Sequence, residues 1–589
     1  MSMGMMRAGP LRPRAVARGA GRFALPVLLA GLLLGSGGPG PASGAGGESF
    51  EALKKAYEDQ LAKPAVDRIP ALRAIGECPD PRAGKYIADL LAEGGKETGL
   101  LEVAVQCLGL RGDPAALEAA LTHGFKVLPE TRWRSVGESF TGHLTADGQK
   151  WFLERGYAMI PTLPAAAQRI VVDLLLGITD ERRAEVAEKL LGNRKCPSAI
   201  QADFVDLLRI HRVASAAKKI AGMHRFDDAK LQVAVLRALR DLEAAEHSKI
   251  FLDSIESKHW EVRSIAVDIL GETHDPAMIP QITPLLSDPF PEVQVAAIQA
   301  LRKIGGRDVV PPLIAALEKA PGRVRDDIAD TLMWLLGADM GPDAIAWSTW
   351  WKLHGETAEV KGITREEFDR LREAAADSQT GTYYGLRVIS EYVTFVIDVS
   401  GSMEEPYMVE ERDVKKGEEE EKGGTSVAPS PEEKEKKKKK KKVERRKIEV
   451  AREELSRAIT GLRDGVQFNM IPFDSRVQRY RDELTVMSEE IRADALEFVA
   501  ELKPGGMTNV YDSLMTALED PKVNTVYFLS DGAPTNGKYV APEEILVHVR
   551  AANELRKVKI HTIGFHLSPE AEDLMRRLAE ENYGTFVKR

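Results

Sequence analysis

Apolar residues recur in this sequence at one long fixed period, and that constrains its folding more than any other feature. Val262, Val293 and Val324 stand 31 residues apart, and the same step relates Ala266, Ala297 and Ile328, then Leu270, Leu301 and Leu332. Within each unit these positions fall four apart, which is one face of a helix. Asp275-Pro276 follows the first such helix, and Ile279, Ile282, Leu285 and Leu286 then mark a second amphipathic helix ending near Ser287, Asp288 and Pro289. Each unit reads as a helix pair. A lone pair cannot bury its own apolar face, so the pairs must stack on one another.

The same turn appears earlier, at Asp80-Pro81 before Ile87 and Leu90 and at Asp113-Pro114 before Leu117 and Leu121. Pro suits the first helical turn, where its missing N–H has no partner to lose. Residues 130–225 match the pattern poorly and read as degenerate repeats or an insertion. From 46 to 340 the sequence therefore predicts an α-solenoid, an architecture that binds proteins or sets a distance. Its scattered His123, His143 and His211 read as surface or packing residues. Residues 341–390, with Trp347, Trp350, Trp351 and a charged stretch from Arg365 to Ala375, read as a helical linker closing the solenoid.

A different pattern follows. Val393-Thr394-Phe395-Val396-Ile397 is a short β-rich run of the kind buried on both faces, and it leads into Asp398-Val399-Ser400-Gly401-Ser402-Met403. In open α/β sheets ligands bind outside the carboxyl ends of strands, so polar residues placed there are functional candidates. Downstream, Gly505-Gly506-Met507-Thr508-Asn509 precedes a helix near Tyr511, and Val526-Tyr527-Phe528-Leu529 runs into Ser530-Asp531-Gly532.

The D-x-S-x-S spacing and the two later loops resemble the metal-ion-dependent adhesion site of the von Willebrand factor A family. Helix Ile448 to Leu462, strand Val466 to Pro472, strand Ile560 to Phe565, helix Pro569 to Glu580 and a last strand near Gly584 to Val587 fit the family's order. The resemblance covers residues 391–589 and implies a doubly wound, Rossmann-like α/β domain. It implies that Ser400, Ser402 and Thr508 coordinate a divalent cation directly, with Asp398 and Asp531 acting directly or through water. Hydroxyl and carboxylate oxygens are hard ligands suited to Mg²⁺ or Mn²⁺. The family's binding mode implies that an Asp or Glu of a partner protein fills the open coordination position. The helical units Glu261-Val262-Arg263 through Leu270-Gly271 and Pro291-Glu292-Val293 through Ile304-Gly305 resemble HEAT-like repeats of the short class, so a second protein contact on the solenoid is expected.

One segment departs from the family. Between about Glu404 and Lys447 the chain inserts Glu418 to Glu421 and a lysine run from Lys436 to Lys442. Such low-complexity charge blocks are generally disordered and solvated. Leaving from the rim of the metal site, the insertion is placed to shield it or to compete for it with its own Glu residues.

At the start of the chain Arg7, Arg12, Arg14, Arg18 and Arg22 precede an apolar run from Phe23 to Leu34 and the small residues Ala42 to Ala45. This pattern predicts a signal peptide over 1–45 and a periplasmic, cell-surface or secreted location, with an uncleaved membrane anchor as the alternative. The run is too short for a stable transmembrane span, which needs about 20 apolar residues. A formal charge of -9 gives no electrostatic footprint for nucleic acid. Cys78, Cys107 and Cys196 have no metal-binding spacing and read as buried thiols.

The sequence thus predicts a multidomain, exported, non-enzymatic scaffold: an α-solenoid followed by a metal-dependent protein-binding domain. The alternative is a substrate-adaptor subunit of a chelatase or ATPase-type complex. A hydrolase using Ser400 or Ser402 is disfavoured because no G-x-S-x-G elbow surrounds either. His561 and His566 read as structural.

Overall fold

The computed structural model describes residues 49–243, 247–376, 382–410 and 442–589. The expected signal peptide and the charge blocks of the insertion lie outside these residues. The chain forms two compact units, Met1–Lys189 and Leu190–Arg589.

The described part of the first unit is helical throughout. Asp80 and Asp113 cap the Pro81–Glu93 and Pro114–Ala119 helices, their side chains accepting from Arg82 N at 2.8 Å and Ala116 N at 3.0 Å. Each cap satisfies a backbone donor that the helix itself cannot. Helices one repeat apart cross at glycines: a Cβ on Gly76 would stand 2.5 Å from Cys107 Sγ, one on Gly109 would stand 2.4 Å from Ser139, and one on Gly137 would stand 2.4 Å from Ile170. The same crossing device therefore continues past residue 130, where the apolar period is hard to follow. Cys78 and Cys107 are buried and free, and burial pushes the Cys107 thiol up to about 11.

In the second unit the 31-residue register holds in space. Leu231, Val262, Val293 and Val324 are buried at equivalent places in the helices Ala229–Asp241, Trp260–Glu272, Pro291–Ile304 and Gly322–Leu336. The second helix expected after Asp275 is broken into Pro276–Met278, Ile279–Ile282 and Thr283–Ser287. Pro280 and Pro284 each remove a backbone donor there. Trp347, in the Ala344–His354 helix, is fully buried and donates through Nε1 to Gly341 O at 2.8 Å.

Ten strands follow. A short hairpin, β1 (Thr382–Tyr383) and β2 (Leu386–Arg387), precedes β3 (Tyr392–Asp398). Next come β4 (Pro406–Glu410), β5 (Lys442–Arg446), β6 (Gln467–Phe473), β7 (Thr485–Val486), β8 (Thr525–Ser530), β9 (Lys559–Gly564) and β10 (Phe586–Lys588). The main sheet has the order β10-β9-β8-β3-β6-β7, parallel except for β7. Val393, Phe395 and Ile397 face one apolar core while Val396 faces the other, so β3 is covered on both sides. Sheets buried on both faces read as near-continuous apolar runs, as β3 and β8 do.

The insertion is more ordered at its base than its composition suggests. β4 and β5 pair antiparallel, with Pro406 opposite Arg446 and Tyr407 opposite Arg445, so the chain returns beside its point of departure.

The compact units do not divide where helical repeats give way to sheet. Arg237, Asp268 and Asp330 occupy one position of the 31-residue register, and all three meet the sheet domain. Arg237 pairs with Glu554, and Asp268 with Lys557. Asp326, Asp327 and Asp330 surround the Lys559 ammonium at 2.8, 2.8 and 2.9 Å. Arg323 donates to Asn524 O at 2.8 Å, just before β8 begins.

Candidate functional site

Asp398 is the last residue of β3, at its carboxyl end, and is fully buried. Its Oδ1 accepts from Ser400 N at 2.8 Å, a local turn that aims the serines back over the strand end. Its Oδ2 accepts from Ser530 Oγ at 2.6 Å, joining the ends of two adjacent strands. Ser400 Oγ and Ser402 Oγ lie 3.1 Å apart, and Ser402 Oγ donates to Asp531 Oδ1 at 2.7 Å.

Backbone hydrogen bonds lock the second loop to the first. Gly401 N donates to Gly506 O at 3.1 Å and Gly505 N to Val399 O at 2.8 Å. Gly506 has φ +73°, and a Cβ there would meet Ser475 Oγ at 2.9 Å, so glycine is required at this close approach. Thr508 N donates to Thr535 Oγ1 at 2.9 Å, while Thr508 O accepts from Thr535 N at 3.0 Å. Asn509 then caps the Val510–Glu519 helix. With its backbone held twice by the chain that follows Asp531, the Thr508 hydroxyl reaches the other loops. The space a Cβ on Gly532 would fill is 3.6 Å from Thr508 Oγ1 and 3.9 Å from Ser402 Oγ.

All five residues singled out in the sequence therefore converge at the carboxyl ends of β3 and β8. Three partners escaped that reading. Ser530 anchors Asp398, Thr535 anchors Thr508, and Lys447 donates to Asp531 Oδ2 at 2.8 Å and to Glu405 Oε2 at 2.7 Å. Lys447 stands 84 residues from Asp531 and directly after a charge-rich insertion, so no local spacing signals it.

Burial and the neighbouring Asp531 carboxylate push Asp398 up to about 6, against the downward pull of hydrogen bonds from Ser400 and Ser530. The site is short of positive charge there. Burial opposes the charge of Lys447, but the Asp531 and Glu405 carboxylates more than offset it and raise its pKa. Hydroxyl and carboxylate oxygens gathered at these strand ends are hard donors that suit a compact divalent cation. The one triad of carboxylates among the described residues, Asp326, Asp327 and Asp330, lies elsewhere and is already filled by Lys559, Arg372 and Arg387.

A parallel doubly wound sheet carrying D-x-S-x-S, Thr and Asp loops at its strand ends defines a domain of the von Willebrand factor A class. Comparison with known proteins agrees: residues 441–587 match the family model for the von Willebrand factor type A domain, and residues 248–333 match that for HEAT repeats. The chain thus carries HEAT repeats followed by a von Willebrand factor type A domain. It is 26% identical over 142 residues to human von Willebrand factor A domain-containing protein 3B, covering 24% of this chain and 10% of that protein. It is 24% identical over 150 residues to mouse inter-alpha-trypsin inhibitor heavy chain H2, covering 23% of this chain and 16% of that one. These alignments span a small part of the relatives' own length. Among solved structures, a von Willebrand factor type A protein from Catenulispora acidiphila aligns with TM-score 0.24 and 18% identity, covering 34% of this chain and 39% of the other.

Proposed function

We propose that this chain is an exported, non-enzymatic protein-binding scaffold. In this reading residues 391–589 bind Mg²⁺ or Mn²⁺ through Asp398, Ser400, Ser402, Thr508 and Asp531, and residues 46–340 present that domain or add a second protein contact. The carrying observation is the run of oxygen donors from Ser400 through Ser402 to Asp531, with Thr508 Oγ1 facing the same cleft. When bound, the ion supplies an electrophilic point for a carboxylate of the partner. The residues themselves do the positioning: Ser530 fixes Asp398, the Thr508–Thr535 pairing fixes the threonine, and the Gly505 and Gly401 backbone bonds hold the loops in register.

The Ser400 and Ser402 hydroxyls contact each other, and Ser402 donates to Asp531. Similarity to von Willebrand factor A domain-containing proteins and to an inhibitor heavy chain supports a protein-interaction role. Among the described residues no helix is long and apolar enough to cross a membrane.

The test is calorimetric titration of Mg²⁺ and Mn²⁺ into the full chain beside Asp398→Ala. Binding should be lost in the variant, and Thr508→Ala should lose cation-dependent capture of the partner. Equal cation binding by Asp398→Ala would place the ion elsewhere and overturn the reading.

A further inference from the structure

Asp531 already has a cation supplied by the chain itself. Lys447 is the first residue of the Lys447–Gly461 helix, and its side chain is only 6% exposed. Its backbone N–H donates to Glu405 O at 3.1 Å. The preceding residue, Arg446, is paired with Pro406 across the β4–β5 ladder and bridges to Glu404 at 3.1 Å and Glu449 at 2.8 Å. The base of the insertion thus fixes where the lysine enters the site.

The two partners of the ammonium are unequal. Asp531 has a side chain with no exposure, whereas the Glu405 side chain is 62% exposed. A metal ion at about 2.1 Å from ligand oxygens would place two positive charges close to an ammonium that sits on the same carboxylate. Like charges at that separation repel strongly in a buried site. The flexible four-carbon stem of lysine allows the ammonium to leave Asp531 and keep Glu405, which lies toward solvent.

We propose that Lys447 is a built-in competitor for the divalent cation, bridging Asp531 and Glu405 when the site lacks an ion and keeping only Glu405 when it holds one. The base of the insertion then serves the site by delivering this lysine, and Glu405 is the anchor it retains. The threshold for loading is set by the chain rather than by the oxygen donors alone. This inference rests on the cation-binding reading of Asp398, Ser400, Ser402, Thr508 and Asp531.

The experiment is Mn²⁺ titration of the full chain against Lys447→Met and Lys447→Arg, with melting curves to verify folding. Lys447→Met should bind about ten- to a hundredfold tighter than wild type, the range that loss of one charged hydrogen bond covers, and Lys447→Arg no tighter than wild type. Unchanged or weaker binding by Lys447→Met would overturn the proposal, because a lysine that only orients Asp531 weakens the site when removed. Absence of binding by both wild type and Lys447→Met would overturn the cation reading itself. Acetylation of the wild-type chain supplies a readout independent of folding of the variants: the Lys447 amine should become severalfold more reactive when Mn²⁺ saturates. No change in reactivity despite bound Mn²⁺ would overturn the exchange.

Discussion

At the carboxyl ends of β3 and β8 stand two buried carboxylates, Asp398 and Asp531, of which Asp531 pairs with one ammonium; at the amino ends of β8 and β9, three buried carboxylates face four cations. In the second place Lys559, Arg323, Arg372 and Arg387 all lie within ion-pair distance of Asp326, Asp327 or Asp330. Residue type and burial are the same at both ends, yet the titration moves in opposite directions. Burial and Asp531 push Asp398 up to about 6. Burial would push Asp326 up as well, but Lys559, Arg372 and Arg387 hold it well below the ordinary carboxylate range. Counting local cations decides the sign. One end of the sheet has more buried carboxylates than cations and is where we propose that an ion binds; at the other the carboxylates are already paired, and they tie the repeat helices to the sheet.

Removing one cation from the saturated end should have the largest effect. Lys559→Met leaves three buried carboxylates with one contact fewer each, and breaking a buried ionic network on one side costs about 3–5 kcal/mol. Denaturant unfolding should show that loss, together with separation of the transitions of the repeat helices and the sheet domain. A change below about 1 kcal/mol, within the range of exposed pairs, would mean that the cluster is not dry.

The open end should respond to ions instead. Mg²⁺ or Mn²⁺ at about a hundred times its dissociation constant should stabilise the full chain by about 2.7 kcal/mol, by mass action on the folded state. Chelation or Asp398→Ala should abolish that gain. If Asp326→Asn abolished it instead, the contrast between the two ends would be reversed.

What the sequence revealed and concealed follows the same division. The three loops were legible because each is a local motif at a strand end, and the repeats because apolar positions recur every 31 residues. The saturated cluster was not legible: its members come from segments around 323–330, 372, 387 and 559. Arg237, Asp268 and Asp330 sit on the polar side of amphipathic helices, where a charged residue ordinarily signals solvent. Only their common place in the 31-residue register hints that the same face of successive repeats is covered. The β4–β5 ladder was hidden for another reason, since charge composition predicts solvation but says nothing of how the insertion's two ends pair.

The smallest predicted effect probes the surplus of cations at the saturated end. His561, on β9, is buried and stacked on Tyr527, and its Nδ1 accepts from Thr585 N at 3.1 Å. Burial first, then the Lys559 and Arg372 charges, hold its pKa well below the ordinary 6.5; Arg323 acts in the same direction and Asp326 against it. An unfolded chain takes up a proton near pH 6.5 that the folded chain refuses, so folding stability falls as pH drops through that value. The expected loss between pH 7 and pH 6 is under about 1 kcal/mol, steepening toward about 1.4 kcal/mol per pH unit below it. Unfolding of wild type and His561→Gln across pH 5.5–7.5 measures it, because glutamine keeps an acceptor for Thr585 but cannot titrate. A flatter profile in the variant would locate the proton at the saturated end; parallel profiles would mean that the aspartates there compensate a charged His561 after all.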